Sequence, residues 1–486
     1  MMKVLFANSY FYPLDSKQWN KKQPYPPLGT LTAAAFAREN DHTVSFVDTN
    51  LIDDPSSIEP RLQQSKPDVL VIYDDGFNYL TKMCLTVMRE AAFQMIAIAK
   101  KHDIPVAISS SDSTDQGQLY LENGADYIFL GEAEETLIEL LDALDKESSV
   151  ESIKGLIYKK EEQTINTTRR SVLKDLDSLP MAAWDLVDFD AYREIWMEGN
   201  GYFSLNLATT RGCPFKCNWC AKPIYGNRYN SRSPENVVNE IEFLIGKAKP
   251  THFWMCDDIF GLKPGWVQEF NKLVTQKKLR FKYTIQSRVD LLLKEDTIEA
   301  LARSGVDEVW VGAESGSQKI LDAMDKGTTV EQIKEATNLL KHKGVKVAYF
   351  LQFGYPKETQ EDIQKTIDMV LEMMPDNIGV SVSYPLPGTP FYERVKSELE
   401  NKANWKDSDD LDLMFENTYS NEYYRKLQRY IHKMLRRKQG LENAKNMLSH
   451  PMHMLSNLRS VVLYPYYELS TQLDRRDLKR MEKEVL

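Results

Sequence analysis

Residues 208–220, ATTRGCPFKCNWC, set three thiols, Cys213, Cys217 and Cys220, at C-x3-C-x2-C behind an apolar run, Tyr202–Thr209, that reads as a strand. A loop leaving a strand end can curl and aim three such side chains at one point, and thiolates are the ligands of iron-sulfur clusters. The usual cubane takes four ligands, and only three are local. An iron without a protein ligand is an open coordination position, which marks a catalytic rather than a structural metal. Zinc is the competing reading, with a fourth ligand drawn from Cys256 or His252 at the next strand.

Downstream, strand-like runs recur at Thr251–Met255, Lys282–Gln286, Glu308–Gly312, Lys346–Phe353 and Asn377–Ser383, with helical patterns at Ser233–Gly246 and Trp266–Gln276. Six such units are fewer than the eight of a closed barrel, so a partial (β/α)6 TIM-like barrel is expected over 196–400. Upstream, residues 2–8, 43–48, 68–73, 105–109 and 126–130 alternate with helices predicted at Leu28–Asn40 and Tyr79–Lys101. That rhythm predicts an α/β, Rossmann-like domain over 1–145, whose ligands sit beyond the carboxyl ends of its strands. Between the two lies a Pro-interrupted connector, 146–195, in which YKKEEQT suggests a small hairpin. Residues 401–486 read as a polar helical extension.

With 486 residues, 42% of them hydrophobic, the chain has material for several cores, and no apolar stretch approaches a bilayer's thickness. The start, MMKVLFANSYFYP, has too short an apolar run for a secretory signal and reads as a first strand, so a cytoplasmic home is expected. Five cysteines, three of them within eight residues, point to metal chemistry in a reducing compartment rather than to disulfides. A net charge of -10 argues against nucleic acid, yet residues 421–486 carry 14 Lys and Arg against 7 Asp and Glu. Within this tail HMLSNLRSVVLYPYYEL, 453–469, mixes aromatic, aliphatic and basic residues; it suits packing on the body or contact with a membrane surface.

With Trp219 as the aromatic, the cysteine run resembles the signature of the radical S-adenosylmethionine (SAM) superfamily, C-x3-C-x-aromatic-C, and the likeness extends from Leu205 to about Tyr392. The resemblance implies that Cys213, Cys217 and Cys220 ligate a [4Fe-4S] cluster, that the methionine part of SAM chelates its fourth iron, and that SAM is cleaved to a 5'-deoxyadenosyl radical. It places Trp219 near the adenine. Met255-Cys256-Asp257-Asp258 aligns with the family's Gly-Gly-Glu-like element without its glycines, making Asp257 and Asp258 acceptors for the SAM ammonium; the alternative is solvated loop acids opening a helix. Gln286, Ser287 and Arg288 would meet the ribose and carboxylate. Glu314 and Ser315, in VWVGAESGS, would lie near the ribose or methionine, although an Arg288–Glu314 ion pair explains both charges without a ligand. Phe353 opens a turn resembling the family's support for adenine.

YPPLGTLTAAAFARENDHTVSFVD and DYIFLGEAEETLIELL resemble the start and end of the cobalamin-binding domain that precedes many members of the superfamily. The mutase-type Asp-x-His-x-x-Gly motif is missing; His42 and His102 fall at the wrong end of the sheet and read as surface histidines. A corrin would be lined by Tyr73, Asp74, Asp75, Ser109, Ser110, Ser111, Gly131 and Glu132; the bland alternative is a domain that keeps the fold without the cofactor. The implied activity is methylation, cyclisation or rearrangement of an unactivated carbon on a small-molecule or lipid substrate, fed by a flavodoxin- or ferredoxin-type donor. A methylthiotransferase, which would need three more cysteines in the amino domain, and a non-catalytic iron-sulfur protein are the alternatives.

Overall fold

The computed structural model describes residues 1–399, 404–449 and 460–485; residues 453–459 of the mixed tail segment lie outside it. The first sheet contains β1 (Lys3–Ala7), β2 (Thr43–Phe46), β3 (Val69–Tyr73), β4 (Val106–Ser109), β5 (Tyr127–Phe129), β6 (Leu156–Lys160) and β7 (Gln163–Asn166), in the order β2-β1-β3-β4-β5-β6-β7. The first five run parallel. Buried on both faces, β3 is a continuous apolar run, VLVIY, as a central parallel strand requires. The expected hairpin forms, and β6 pairs antiparallel with β5, so the chain leaves this sheet only after Asn166. The strand order reverses between β1 and β3, which opens a crevice at their carboxyl ends.

The predicted helix Tyr79–Lys101 is two helices, Tyr79–Lys82 and Thr86–Lys101, broken where Cys84 takes φ 53°. The reason is remote. The first amides of the second helix, Thr86 and Val87, donate to the Trp405 and Lys406 carbonyls, and the Tyr384 hydroxyl donates to Met83 O. Helix-start donors need partners, and these arrive from a segment some three hundred residues later in the chain.

The second sheet is parallel throughout, in the order β8-β11-β12-β13-β14-β15: β8 (Ser204–Leu207), β11 (His252–Met255), β12 (Lys282–Ser287), β13 (Val306–Glu314), β14 (Lys346–Phe353) and β15 (Asn377–Val382). Among the described residues β8 and β15 do not pair with each other, which gives the expected partial barrel. A short antiparallel pair, β9 (Thr210–Arg211) and β10 (Asn230–Ser231), pinches the base of the cysteine loop. One apolar core runs from the barrel into Tyr10, Leu28, Leu31, Phe77, Leu80 and Met88 of the amino domain, so the two parts share an interior. Helices Asn421–Ser449 and Tyr464–Val485 pair with each other, and the first packs on helix Gln360–Met373.

Candidate iron-sulfur and SAM site

The cysteine loop is held at three points. At its base Asp257, fully buried, accepts from Thr209 N (2.6 Å), Thr209 Oγ1 (2.6 Å) and Thr210 N (2.7 Å). Burial pushes this carboxyl up to about 6 against the pull of those donors. Gly212 turns the chain at φ 79°, and a Cβ there would collide with Arg228 O, so only glycine serves. In mid-loop, Asn218 donates from its side chain to Ala323 O (2.7 Å) and Asp325 Oδ2 (2.8 Å), its Oδ1 meets the Tyr355 hydroxyl at 2.9 Å, and its amide donates to Met324 O. The residue between Cys217 and Trp219 is thus bolted to the loops after β13 and β14. At the far side Lys222 donates to Phe215 O and Asn227 Oδ1.

Held this way, Cys213, Cys217 and Cys220 are free thiols, each half-buried. Burial pushes Cys220 up to about 12, with Asp258, Cys217 and Cys213 adding to the rise against Lys222, and burial also raises Cys213. Three thiols gathered in one partly buried loop are a donor set that a cationic cluster would convert to thiolates. Among the described residues no three His, Cys, Asp or Glu side chains converge as around a single ion. The residues that zinc would recruit are engaged: His252 bonds Ser204 Oγ (2.8 Å) and Thr284 Oγ1 (2.9 Å), and Cys256 donates to Leu207 O (3.1 Å). The Trp219 indole N–H is buried without a partner, a donor left over for a ligand.

Charged side chains ring the loop. Lys326, buried, donates to Glu314 Oε1 (2.6 Å) and stands 5.9 Å from the Trp219 ring centre. Burial pulls its ammonium down, but Glu314, with Cys217, outweighs that and holds it above the usual lysine value. Gly312 clears the space for this pair, since a Cβ there would press on Lys326 Nζ. Arg288 lies 3.7 Å over the Phe215 ring and bonds Asp290 (2.9 Å) and Lys326 O (2.8 Å). The Arg288–Glu314 ion pair offered by the sequence is therefore replaced by two separate pairs. Asp258 pairs with Lys82, which reaches in from the amino domain.

The paired-acid expectation divides. Asp258 borders the thiols, whereas both oxygens of Asp257 are spent on the loop's own base, so Asp257 is corrected from a ligand acceptor to an anchor. Ser287 Oγ donates to Phe260 O, Ser315 is buried against Thr366, and Phe353 is in the barrel core; none presents a free group. Gln286 is half-buried at the end of β12. Asn218 and Tyr355 were not singled out for the loop, because their partners are assembled only by the fold.

The edge of the first sheet faces this loop. Gly76 lies under the Tyr225 ring, and buried Arg211 joins Glu132 (2.5 Å) and Glu134 (2.7 Å) across the two parts. Around it Phe77 and Tyr225 sit 5.8 Å apart, with the Arg211 guanidinium against both rings. The side chains expected to line a corrin are mostly committed elsewhere. Asp74 accepts from Ser9 N and Oγ (2.7 and 2.8 Å), Asp75 caps Gly29 and Phe77, and Ser110 and Ser113 cap each other. Burial holds both Asp74 and Asp75 up at about 6. Tyr73, Ser109 and Ser111 are buried, Gly131 rests against Arg169, and Glu132 also accepts from Leu173 N. His42 is buried rather than on the surface, accepting from Met2 N because the sheet's first strands close over it; His102 pairs with Glu59.

Residues 207–370, about a third of the chain, match the radical SAM superfamily, with the cysteine loop at the head of that segment, so this part of the chain is a radical SAM domain, whose cofactors are a [4Fe-4S] cluster and SAM. The chain is similar to an uncharacterized methyltransferase of Pyrococcus horikoshii, 28% identical over 389 residues covering 78% of this chain and 81% of that one. Its fold is shared with the radical SAM methyltransferase TsrM of Kitasatospora setae, solved with cobalamin and a [4Fe-4S] cluster (TM-score 0.68, 19% identity, 82% of this chain and 78% of that one). It is shared as well with the cobalamin-dependent SAM radical enzyme OxsB, solved with aqua-cobalamin (TM-score 0.73, 18% identity, 99% of this chain and 72% of that one). No described helix is long and apolar enough to cross a membrane.

Proposed function

We propose that the protein is a cobalamin-dependent radical SAM methyltransferase acting on an unactivated carbon of a small molecule. The observation that carries this reading is the placement of the first sheet's carboxyl edge against the cysteine loop, locked by Arg211, Tyr225 and Lys82. A group bound at that edge would lie beside the loop whose cysteines would hold the cluster. TsrM and OxsB, which share the fold, are solved with cobalamin. The committed side chains of Asp74, Asp75, Ser110 and Glu132 do not form a set of vacant corrin donors.

Cys213, Cys217 and Cys220 would hold the cluster, which supplies one electron to the sulfonium of bound SAM. Asp258 would accept the SAM ammonium once Lys82 lets go of it. Trp219 would give its spare N–H to the adenosine side, and the Lys326–Glu314 and Arg288–Asp290 pairs would keep fixed charges around the carboxylate and ribose. The Phe77–Tyr225 ring pair would keep water from the reacting carbon. Anaerobic purification with hydroxocobalamin in the medium tests the reading. Iron, sulfide and corrin should be recovered together, and SAM should yield 5'-deoxyadenosine or a methylated acceptor; a full cluster without corrin would remove the cobalamin half of it.

A further inference from the structure

The helix Tyr464–Val485 has two unlike sides. Its inward acids are spent on the neighbouring helix: Glu468 on Arg437 (2.6 Å), Asp474 on Lys433 (2.7 Å), Asp477 on Lys426, and Glu482 on the Tyr423 hydroxyl (3.2 Å). Leu478 and Thr471 are buried on the same side. Outward, Tyr466, Leu469 and Leu473 recur at helical spacing and are 58%, 66% and 60% exposed, and Val462, just ahead of the helix, is 66% exposed. The stripe runs on into Arg476 and Arg480, flanked by Arg475, Lys479 and Lys483, all exposed. Among the described residues, the nearest carboxylate to these cations is Asp477, 3.8 Å from Arg480 and already held by Lys426.

We propose that this outer face is a docking surface for an anionic phospholipid bilayer, with the helix lying in the plane of the headgroups. A single face that is apolar along one half and cationic along the other needs a partner offering hydrocarbon and negative charge together, which an anionic bilayer does. A second copy of the helix fits less well. Among the described side chains its acids, Glu468, Asp474, Asp477 and Glu482, point inward and offer no counter-charge, and four apolar side chains fall far short of the roughly 800 Å² per partner that a stable interface takes.

Flotation of the full chain with vesicles tests this, using phosphatidylcholine alone against equal parts phosphatidylcholine and phosphatidylglycerol. The protein should float with the anionic vesicles only and come off as salt is raised. Leu469→Ser with Leu473→Ser, and separately Arg476→Gln with Arg480→Gln, should each weaken partition about tenfold or more, with cluster content and SAM cleavage unchanged. Two different substitutions of exposed positions guard against a folding artefact. Equal partition into neutral vesicles, or none into either, overturns the proposal. So does a dimer in sedimentation equilibrium that the Leu469→Ser, Leu473→Ser variant dissolves, which would give the face to a second copy.

Discussion

The barrel mouth and the edge of the first sheet face each other across one interface, yet they treat polar side chains in opposite ways. At the mouth, three free thiols stand half-buried and the Trp219 N–H is buried without a partner, a costly state for a donor unless a ligand satisfies it. At the edge, Asp74, Asp75, Ser110, Asp112 and Glu132 are all answered from within the chain. The mouth is built to grip through side chains. The edge is built to present a shaped, rigid surface, so whatever binds there is recognised by fit and by backbone more than by spare carboxylates.

The largest test of that contrast is on the mouth. Cys213→Ala, Cys217→Ala or Cys220→Ala should each abolish the cluster's visible absorption and SAM cleavage in anaerobic preparations, while Cys84→Ala, buried within the amino domain, keeps both. At the junction, Arg211→Met strands Glu132 and Glu134 in the interior and should cost about 3–5 kcal/mol in urea unfolding. A cost near zero would mean that the two parts are not locked there. Asn218→Ala removes the bolt in mid-loop; about 1–3 kcal/mol of local stability should go, seen as lower iron per chain at an almost unchanged global melt.

The edge makes its own prediction with pH. A carboxyl held at about 6 when folded binds its proton more tightly than in the unfolded chain, so the stability it contributes falls as pH rises from about 4 to about 6 and is level above. Asp74→Asn should flatten that window by about 1–3 kcal/mol in pH-dependent melts. The smallest effect belongs to the bridge between the regions. Lys82→Met frees Asp258, and SAM should bind a few-fold more tightly by calorimetry, about 1 kcal/mol, whereas Asp258→Asn should weaken it. Unchanged SAM affinity in both variants would show that Asp258 is not part of that pocket.

Much of this was legible in the residues alone because it is local. The period of apolar runs such as VLVIY and KVAYFLQF marks strands buried on both faces, and C-x3-C-x2-C with Trp219 needs no partner beyond its own loop. What tertiary structure decided lies at long range. Asp257 and Asp258 are neighbours in sequence, yet one anchors Thr209 and Thr210 while the other meets Lys82, because adjacent side chains leaving a strand end face different surroundings. Cys84 breaks a helix whose start is satisfied by Trp405 and Lys406, and Arg211 finds Glu132 and Glu134 just beyond the end of β5, in the other part of the chain. Periodicity and ligand spacing are written along the chain, but the satisfaction of a buried charge or an unpaired amide depends on which distant segment packing brings beside it.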